Sequence, residues 1–176
     1  MNIKVGILLG LVSLTACAQE TPPLFDPNGL SLIIGGNGSV ATKGSTINLF
    51  GANASLVQTG TLGLPFQLGI RQTIERQRLE DTDTLNIFTT KLFYDVIFFH
   101  ITKRLDFAVG ANAGILYGNT PLRWRAGPEI GVRWWLRPNA AIVGRVDYAF
   151  DLKEGPLNVI NYFIGFQVKL EKSKTK

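Results

Sequence analysis

The segment from residue 123 to residue 134 alternates between two kinds of side chain, and this pattern constrains the fold more than any other feature of the chain. Arginine, glutamate and glycine hold one set of alternate positions, whereas tryptophan, alanine, proline, isoleucine and valine hold the other. A period of two residues is typical of a β-strand with two different faces. One face of this strand is therefore charged and the other is apolar.

Similar alternation recurs between residues 29 and 170, with short turn-rich stretches between the segments. We count eight segments and no long stretch of helical period, which favours antiparallel hairpins over parallel crossovers. Two irregularities are expected. The second segment changes phase, which predicts a bulge near Gly51, and Pro128 lacks an amide donor, which predicts a bulge or a position near the rim.

The polar faces carry many charges, and these charges nearly balance. Seven cations and six anions lie on these faces, together with several glycines. Buried charges persist only when they are paired, so this near balance is what an enclosed lumen requires. A solvated face needs no such balance. Asp151 and Lys169 are two of these thirteen charged residues, and the other eleven form the predicted lumen network. The predicted lumen network comprises Arg71, Glu75, Lys91, Asp95, Asp106, Arg123, Arg125, Glu129, Arg133, Arg145 and Asp147.

The apolar faces that can be phased carry no charged residue, and aromatic residues stand near their ends. Trp124 and Trp134 are ten residues apart on one face. At about 3.3 Å per residue and a tilt of about 40°, they are roughly 25 Å apart along a barrel axis, about the height of a lipid-facing belt with aromatic girdles. In hydrocarbon a sheet must close to pair its backbone. We therefore expect an all-β, closed, antiparallel, eight-stranded, transmembrane up-and-down β-barrel.

The chain divides into four parts. Residues 1–18 have the basic and apolar regions of an export signal, residues 19–28 form a proline-rich linker, residues 29–170 form the barrel, and residues 171–176 form a charged tail. The signal ends ambiguously, because the residues around Cys17 fit ordinary cleavage and also resemble a lipobox. Cys17 is therefore a candidate for acylation, with simple removal or an unmodified cysteine as the alternative.

The last segment carries the most specific local pattern, with Tyr162, Ile164, Phe166, Val168 and Leu170 on one face. With Gly165 it resembles the terminal signal of small OmpA/OmpX-type outer-membrane barrels and of the porin-like outer membrane protein beta-barrel group. It departs from that signal at Phe163, where a polar residue is common, and in the charged residues after Leu170. The resemblance implies insertion into the lipid of the bacterial outer membrane by the barrel assembly machinery. It also implies periplasmic termini, with short external loops.

Composition excludes several functions. One cysteine and one histidine cannot form a Cys/His zinc site or nucleophile pair, and we expect no metal or cofactor. The formal charge of +5 is not concentrated in a basic run inside the barrel, so no nucleic-acid partner is expected.

The leading hypothesis is a non-catalytic structural or minor porin-like barrel of the envelope, with a lumen largely plugged by ion pairs. Two alternatives remain. A lipid A-modifying barrel enzyme would need its histidine on the external side, whereas His100 is expected at a periplasmic turn. A soluble periplasmic lipocalin-like barrel would turn its apolar face inward to bind a ligand.

Overall fold

Eight antiparallel strands close into a barrel in the computed structural model, which describes residues 29–41, 49–60, 66–78, 84–102, 104–119, 121–152 and 158–170. Each strand pairs with the next along the chain, and the last pairs with the first. The closed, all-β, up-and-down architecture is thereby confirmed. The strands are β1 (Gly29–Ala41), β2 (Leu49–Thr59), β3 (Gln67–Arg78), β4 (Thr84–Thr102), β5 (Leu105–Gly118), β6 (Arg123–Arg137), β7 (Ala140–Asp151) and β8 (Val159–Lys169).

The two ends of the barrel differ in what they carry. One end holds residues 29 and 170 and the connections β2–β3, β4–β5 and β6–β7; we call it the terminal end. The other four connections lie at the opposite end, which we call the loop end. The resemblance noted above implies that the terminal end faces the periplasm.

The alternation in sequence becomes an alternation between lumen and exterior. In β6, Glu129 and Arg133 point inward and are 1% and 4% exposed, whereas Trp124 and Trp134 point outward and are 51% and 53% exposed. Successive strand residues point to opposite faces, so one phase fixes the orientation of the whole segment. The expected orientation, with charges inside and apolar side chains outside, is the one observed.

The bulge expected near Gly51 does not occur, and that prediction was wrong. β2 keeps one register with both β1 and β3 through this position. Phe50 and Leu56 both face outward, on the same phase as Ala52 and Ala54. The apparent phase change came from Ile47, which precedes β2, and from Leu49, the first residue of β2, which pairs with Ser39 in the same register as the rest of the strand.

Pro128 lies well inside β6 and causes no register shift, so the prediction of a bulge or rim position was also wrong. The β6–β7 pairs Ala126–Phe150 and Glu129–Asp147 belong to the same register, with the pairing interrupted between them. On its other side Pro128 pairs with Ala111 of β5. Each amide of an antiparallel strand points to one neighbour only, so proline interrupts one ladder and leaves the other intact.

The longest strand, β4, contains two register shifts that the sequence analysis did not predict, and a third lies between Trp135 and Arg137 in the pairing of β6 with β7. The pairing of β4 with β5 shifts between Asp95 and Ile97 and again between His100 and Thr102. The strand continues through His100, which was expected at a turn and instead pairs through its backbone with Asp106. No helix within the described ranges is long and apolar enough to cross a membrane.

Several sequence predictions fall outside the described residues. These are the signal at 1–18 with Cys17, the linker at 19–28 and the tail at 171–176. They stay predictions.

Candidate functional site in the lumen

Glu129 is the centre of the lumen network. Arg71 donates to both of its carboxylate oxygens, from Nη1 at 2.9 Å and from Nη2 at 2.6 Å. Arg145 Nη1 and Asn112 Nδ2 also donate to Glu129, the latter at 3.0 Å. One buried carboxylate thus receives four hydrogen bonds, three of them from guanidinium groups, which is the arrangement that makes a buried charge tolerable.

Further ion pairs cross the lumen between strands that are not neighbours in the sheet. Lys91 on β4 lies 2.7 Å from Asp147 on β7, and Arg145 on β7 lies 3.2 Å from Asp95 on β4. Arg71 on β3 also approaches Asp147 at 3.6 Å. The network therefore ties opposite walls of the barrel together and fills the space between them.

Towards the loop end, neutral polar side chains take part in the network beside the charged ones. Glu75 accepts hydrogen bonds from Asn37 Nδ2 at 2.6 Å and Ser39 Oγ at 2.7 Å, both on β1. Arg123 pairs with Asp151 at 3.0 Å, and the Arg123 side chain is 36% exposed. Nε of Arg125 is buried without a hydrogen-bond partner.

Towards the terminal end Asp106 is the main acceptor. Arg133 Nε donates to its Oδ2 at 3.0 Å, and the indole Nε1 of Trp135 donates to the same oxygen. The Arg133 guanidinium also lies 4.7 Å from the centre of the Trp135 ring, and the Lys169 ammonium lies 5.5 Å from it. Trp135 is fully buried, whereas its neighbour Trp134 faces outward.

An apolar cluster also lies inside the lumen, and the sequence analysis missed it. The guanidinium groups of Arg71 and Arg145 lie 4.8 Å and 4.5 Å from the ring centre of Phe93, at distances typical of cation–π contacts. The alternation in sequence indicates this position, because Phe93 lies on the inward phase between Lys91 and Asp95. The cluster consists of Ile33, Val57, Phe93, Val143 and Phe163.

Two inward glycines make room for this cluster. A Cβ at Gly69 would overlap the Phe93 ring and come within 2.8 Å of the Leu56 carbonyl oxygen. A Cβ at Gly165 would overlap the Phe163 ring. The glycines of the polar faces therefore provide space for side chains that cross the lumen.

The network leaves small cavities within the described lumen. One at the loop end measures about 20 Å³ and is lined by groups that include Asn37, Glu75 and Arg125. Another at the terminal end measures about 10 Å³ and is lined by groups that include Gln67, Arg145 and Gln167. Each has room for about one water molecule. Among the described residues, no group of three or more His, Cys, Asp or Glu side chains could hold a metal ion.

The exterior is a continuous apolar surface bordered by aromatic residues. Towards the loop end the rings of Phe88 and Tyr117 stack with their centres 5.7 Å apart, and towards the terminal end those of Phe66 and Tyr94 are 5.9 Å apart. Trp124 lies towards the loop end and Trp134 towards the terminal end of β6. The outward belt includes Leu56, Leu68, Ile70, Ile74, Leu92, Ile130, Val132, Ile142, Val146, Ile160, Ile164, Phe166 and Val168.

Polar side chains interrupt this surface at Gln58, Gln72 and Thr90. Gln72 and Thr90 pair across β3 and β4, and the Thr90 hydroxyl donates to the Gln72 amide oxygen. The Gln72 amide nitrogen lies 3.3 Å from both the Thr73 carbonyl oxygen and the Tyr117 hydroxyl. Their polar groups are thus satisfied by the protein, as hydrocarbon surroundings require.

Comparison with known proteins supports the fold. No protein-family profile matches the chain, and no curated protein matches it in sequence. Similar solved structures include Neisserial surface protein A, NspA, with 12% identity, a TM-score of 0.64, and coverage of 81% of this chain and 97% of that one. They also include Ail, the attachment invasion locus protein of Yersinia pestis, with 14% identity, a TM-score of 0.57, and coverage of 80% and 98%.

A second Ail structure was solved in complex with the heparin analogue sucrose octasulfate. It has 16% identity, a TM-score of 0.54, and coverage of 80% of this chain and 98% of that one. The fold of the present chain, with its apolar exterior and polar lumen, is that of a small outer-membrane β-barrel.

Proposed function

We propose that this protein is a non-catalytic, integral β-barrel of the bacterial outer membrane, with a structural role in the envelope and a closed lumen. The observation that carries the proposal is the hydrogen-bonded centre at Glu129. Arg71 and Arg145 reach this carboxylate from different strands and occupy the middle of the lumen. Phe93 and Phe163 fill the adjoining space.

The dimensions of the lumen favour a closed barrel over a porin-like pore. The two cavities described above have room for about one water molecule each. An ion that crossed the barrel would have to displace buried charged groups from their partners. Breaking a buried pair costs about 3 to 5 kcal/mol, so steady conduction is unfavourable.

Electrical recording in planar bilayers tests the closed lumen. The purified protein is expected to give no regular conductance steps, whereas a variant carrying both Arg71→Ala and Glu129→Ala is expected to conduct, because it removes a cross-lumen pair. Heat-modifiable gel mobility confirms that both proteins are folded before recording. Regular steps from the unmodified protein would contradict the proposal and support the minor porin.

The two alternatives make different predictions about the protein. A soluble lipocalin-like barrel would be released by carbonate washing and would not shift in mobility on boiling, whereas we expect a pelleted, heat-modifiable protein. A lipid A-modifying enzyme that uses His100 would lose activity in the His100→Ala variant. We expect cells with and without the protein to have the same lipid A, and a difference that His100→Ala abolishes would establish the enzyme.

The proposal also covers how the protein reaches the membrane. We infer that outer-membrane lipid and the barrel assembly machinery are the partners of this chain, and that nucleic acid is not. Depletion of the machinery is expected to leave the protein uninserted. Mass spectrometry of the mature N-terminus decides whether Cys17 is acylated, removed or left unmodified.

A further inference from the structure

A groove of about 260 Å³ lies on the lipid-facing side of β1, β2 and β3. Leu32, Leu56 and Ile70 lie side by side on these strands and close the groove towards the terminal end. Ala54 forms its floor, and Gln72 lies beside Ala54 on β3. The amide group of Gln72 is already hydrogen-bonded within the protein, so the groove favours an apolar occupant.

The floor of the groove continues towards the loop end. The next outward residue of β2 after Ala54 is Ala52, which pairs with Gly36 of β1 and with Ile74 of β3. A Cβ added to Gly36 would meet only the Gly51 carbonyl oxygen, at 3.8 Å, so the surface beside Ala52 is open. A chain-like molecule can therefore lie along β2 from the groove towards the loop end.

Arg76 lies where this path reaches the loop end. It follows Ile74 on the outward phase of β3, is exposed, and pairs with Phe50 and Asn86. Phe88 pairs with Ile74 and belongs to the aromatic border, so Arg76 lies one outward position beyond that border. None of the ion pairs between described residues includes Arg76. An exposed guanidinium at the level of the lipid headgroups is suited to bind a phosphate group.

The spacing between Arg76 and the groove fits one lipid molecule. Gln72 and Ile70 precede Arg76 by four and six residues. These separations are about 13 and 20 Å along a strand, or about 10 and 15 Å in depth at a tilt of about 40°. Half of a hydrocarbon core of about 30 Å is about 15 Å, so the groove lies in the inner part of one leaflet.

We propose that this surface binds one membrane lipid with a phosphate headgroup. Its phosphate lies on Arg76, and one of its acyl chains passes over Ala52 and ends in the groove at Ala54. Charge complementarity selects the headgroup, and the apolar groove selects the chain. The proposal rests on insertion into the membrane, as the proposed function does, but it does not depend on a closed lumen.

Native mass spectrometry of the protein released from detergent micelles tests the proposal by counting the lipids that stay bound. The probe is dimyristoyl phosphatidylglycerol. Dimyristoylglycerol has the same chains without a phosphate, and inorganic phosphate has no chain. We expect saturation at one phosphatidylglycerol per barrel and about tenfold weaker binding of dimyristoylglycerol, because the charge-assisted contact with Arg76 is lost. Inorganic phosphate alone is not expected to stay bound.

Two variants remove the two parts of the site separately. Arg76→Gln removes the cation and Ala54→Leu fills the groove, and each is expected to weaken phosphatidylglycerol binding about tenfold. The matched controls are Arg137→Gln, at an exposed arginine of the terminal end, and Ala113→Leu, at an outward alanine of β5. Both controls are expected to bind the lipid as the unmodified protein does. Heat-modifiable gel mobility shows that each variant is folded before it is measured.

Several results would overturn the proposal. Equal binding of dimyristoylglycerol, or unchanged binding by Arg76→Gln, would show that the phosphate is not recognised. Unchanged binding by Ala54→Leu would show that the groove holds no chain, and an equal loss in the controls would show that the surface is not specific. A mass of two protein chains without lipid would show that a second copy covers the groove instead. The conductance experiment tests the closed lumen separately.

Discussion

Replacing Glu129 by glutamine tests the central assumption that the lumen is held together by its ion pairs. The substitution keeps the size of the side chain and removes the charge that faces Arg71 and Arg145. Arg71 then retains Asp147 at 3.6 Å, and Arg145 retains Asp95 at 3.2 Å. Removing one partner of a buried pair costs about 3 to 5 kcal/mol, and we expect Glu129→Gln to lower the free energy of unfolding by this amount.

The matched control is Asp151→Asn, which removes the charge from an ion pair at the loop end. Its partner Arg123 is partly exposed and can interact with water when the pair is broken. Pairs with solvent access contribute about 0 to 1 kcal/mol, so the control is expected to lose about 1 kcal/mol. Both carboxylates are buried, so the two variants differ in whether the partner arginine has access to water.

Urea unfolding in lipid vesicles, followed by tryptophan fluorescence, measures both variants. The double variant Glu129→Gln with Arg71→Gln is expected to lose less than the sum of the two single variants, because contacting residues couple by about 0.5 to 3 kcal/mol. A loss below about 1 kcal/mol for Glu129→Gln, or a loss equal to that of Asp151→Asn, would refute the reasoning.

Three further variants or probes test packing and orientation. Gly69→Ala is expected to lose about 1 to 3 kcal/mol by overpacking the lumen, whereas Gly36→Ala, whose nearest neighbour would be 3.8 Å from the added carbon, is expected to be almost neutral in the same urea titration. Ile130→Arg places a charge in the apolar belt and is expected to cost about 2 to 4 kcal/mol in vesicles. In single-tryptophan variants, brominated lipid is expected to quench Trp134 strongly and Trp135 weakly, and equal quenching would contradict the opposite orientation of these neighbours.

The orientation of the side chains was predictable from the sequence because it depends on a local rule. Arg133 and Trp134 are adjacent and must point to opposite faces of a strand, whatever the rest of the fold. The near balance of charges then indicated which face is enclosed. The same rule placed Trp135 on the inward phase, although apolar residues were expected to face lipid.

The partners of each charge were not predictable, because they depend on how the sheet closes. Arg71 and Glu129 are 58 residues apart and lie on β3 and β6, so their contact depends on the tilt and stagger of the whole barrel. Glu75 pairs with two polar side chains of β1 for the same reason. The register shifts in β4 flank a run of four consecutive apolar residues, 96–99, in which alternation gives no phase.

The ties across the lumen have a consequence for how the barrel forms. They join β3 to β6 and β4 to β7, strands that come within reach of one another only after the sheet has curled into a cylinder. A partly inserted sheet therefore gains none of their stabilisation while its inward charges are still without partners. We expect the final closure to be abrupt, and the finished protein to come apart slowly even where its equilibrium stability is modest.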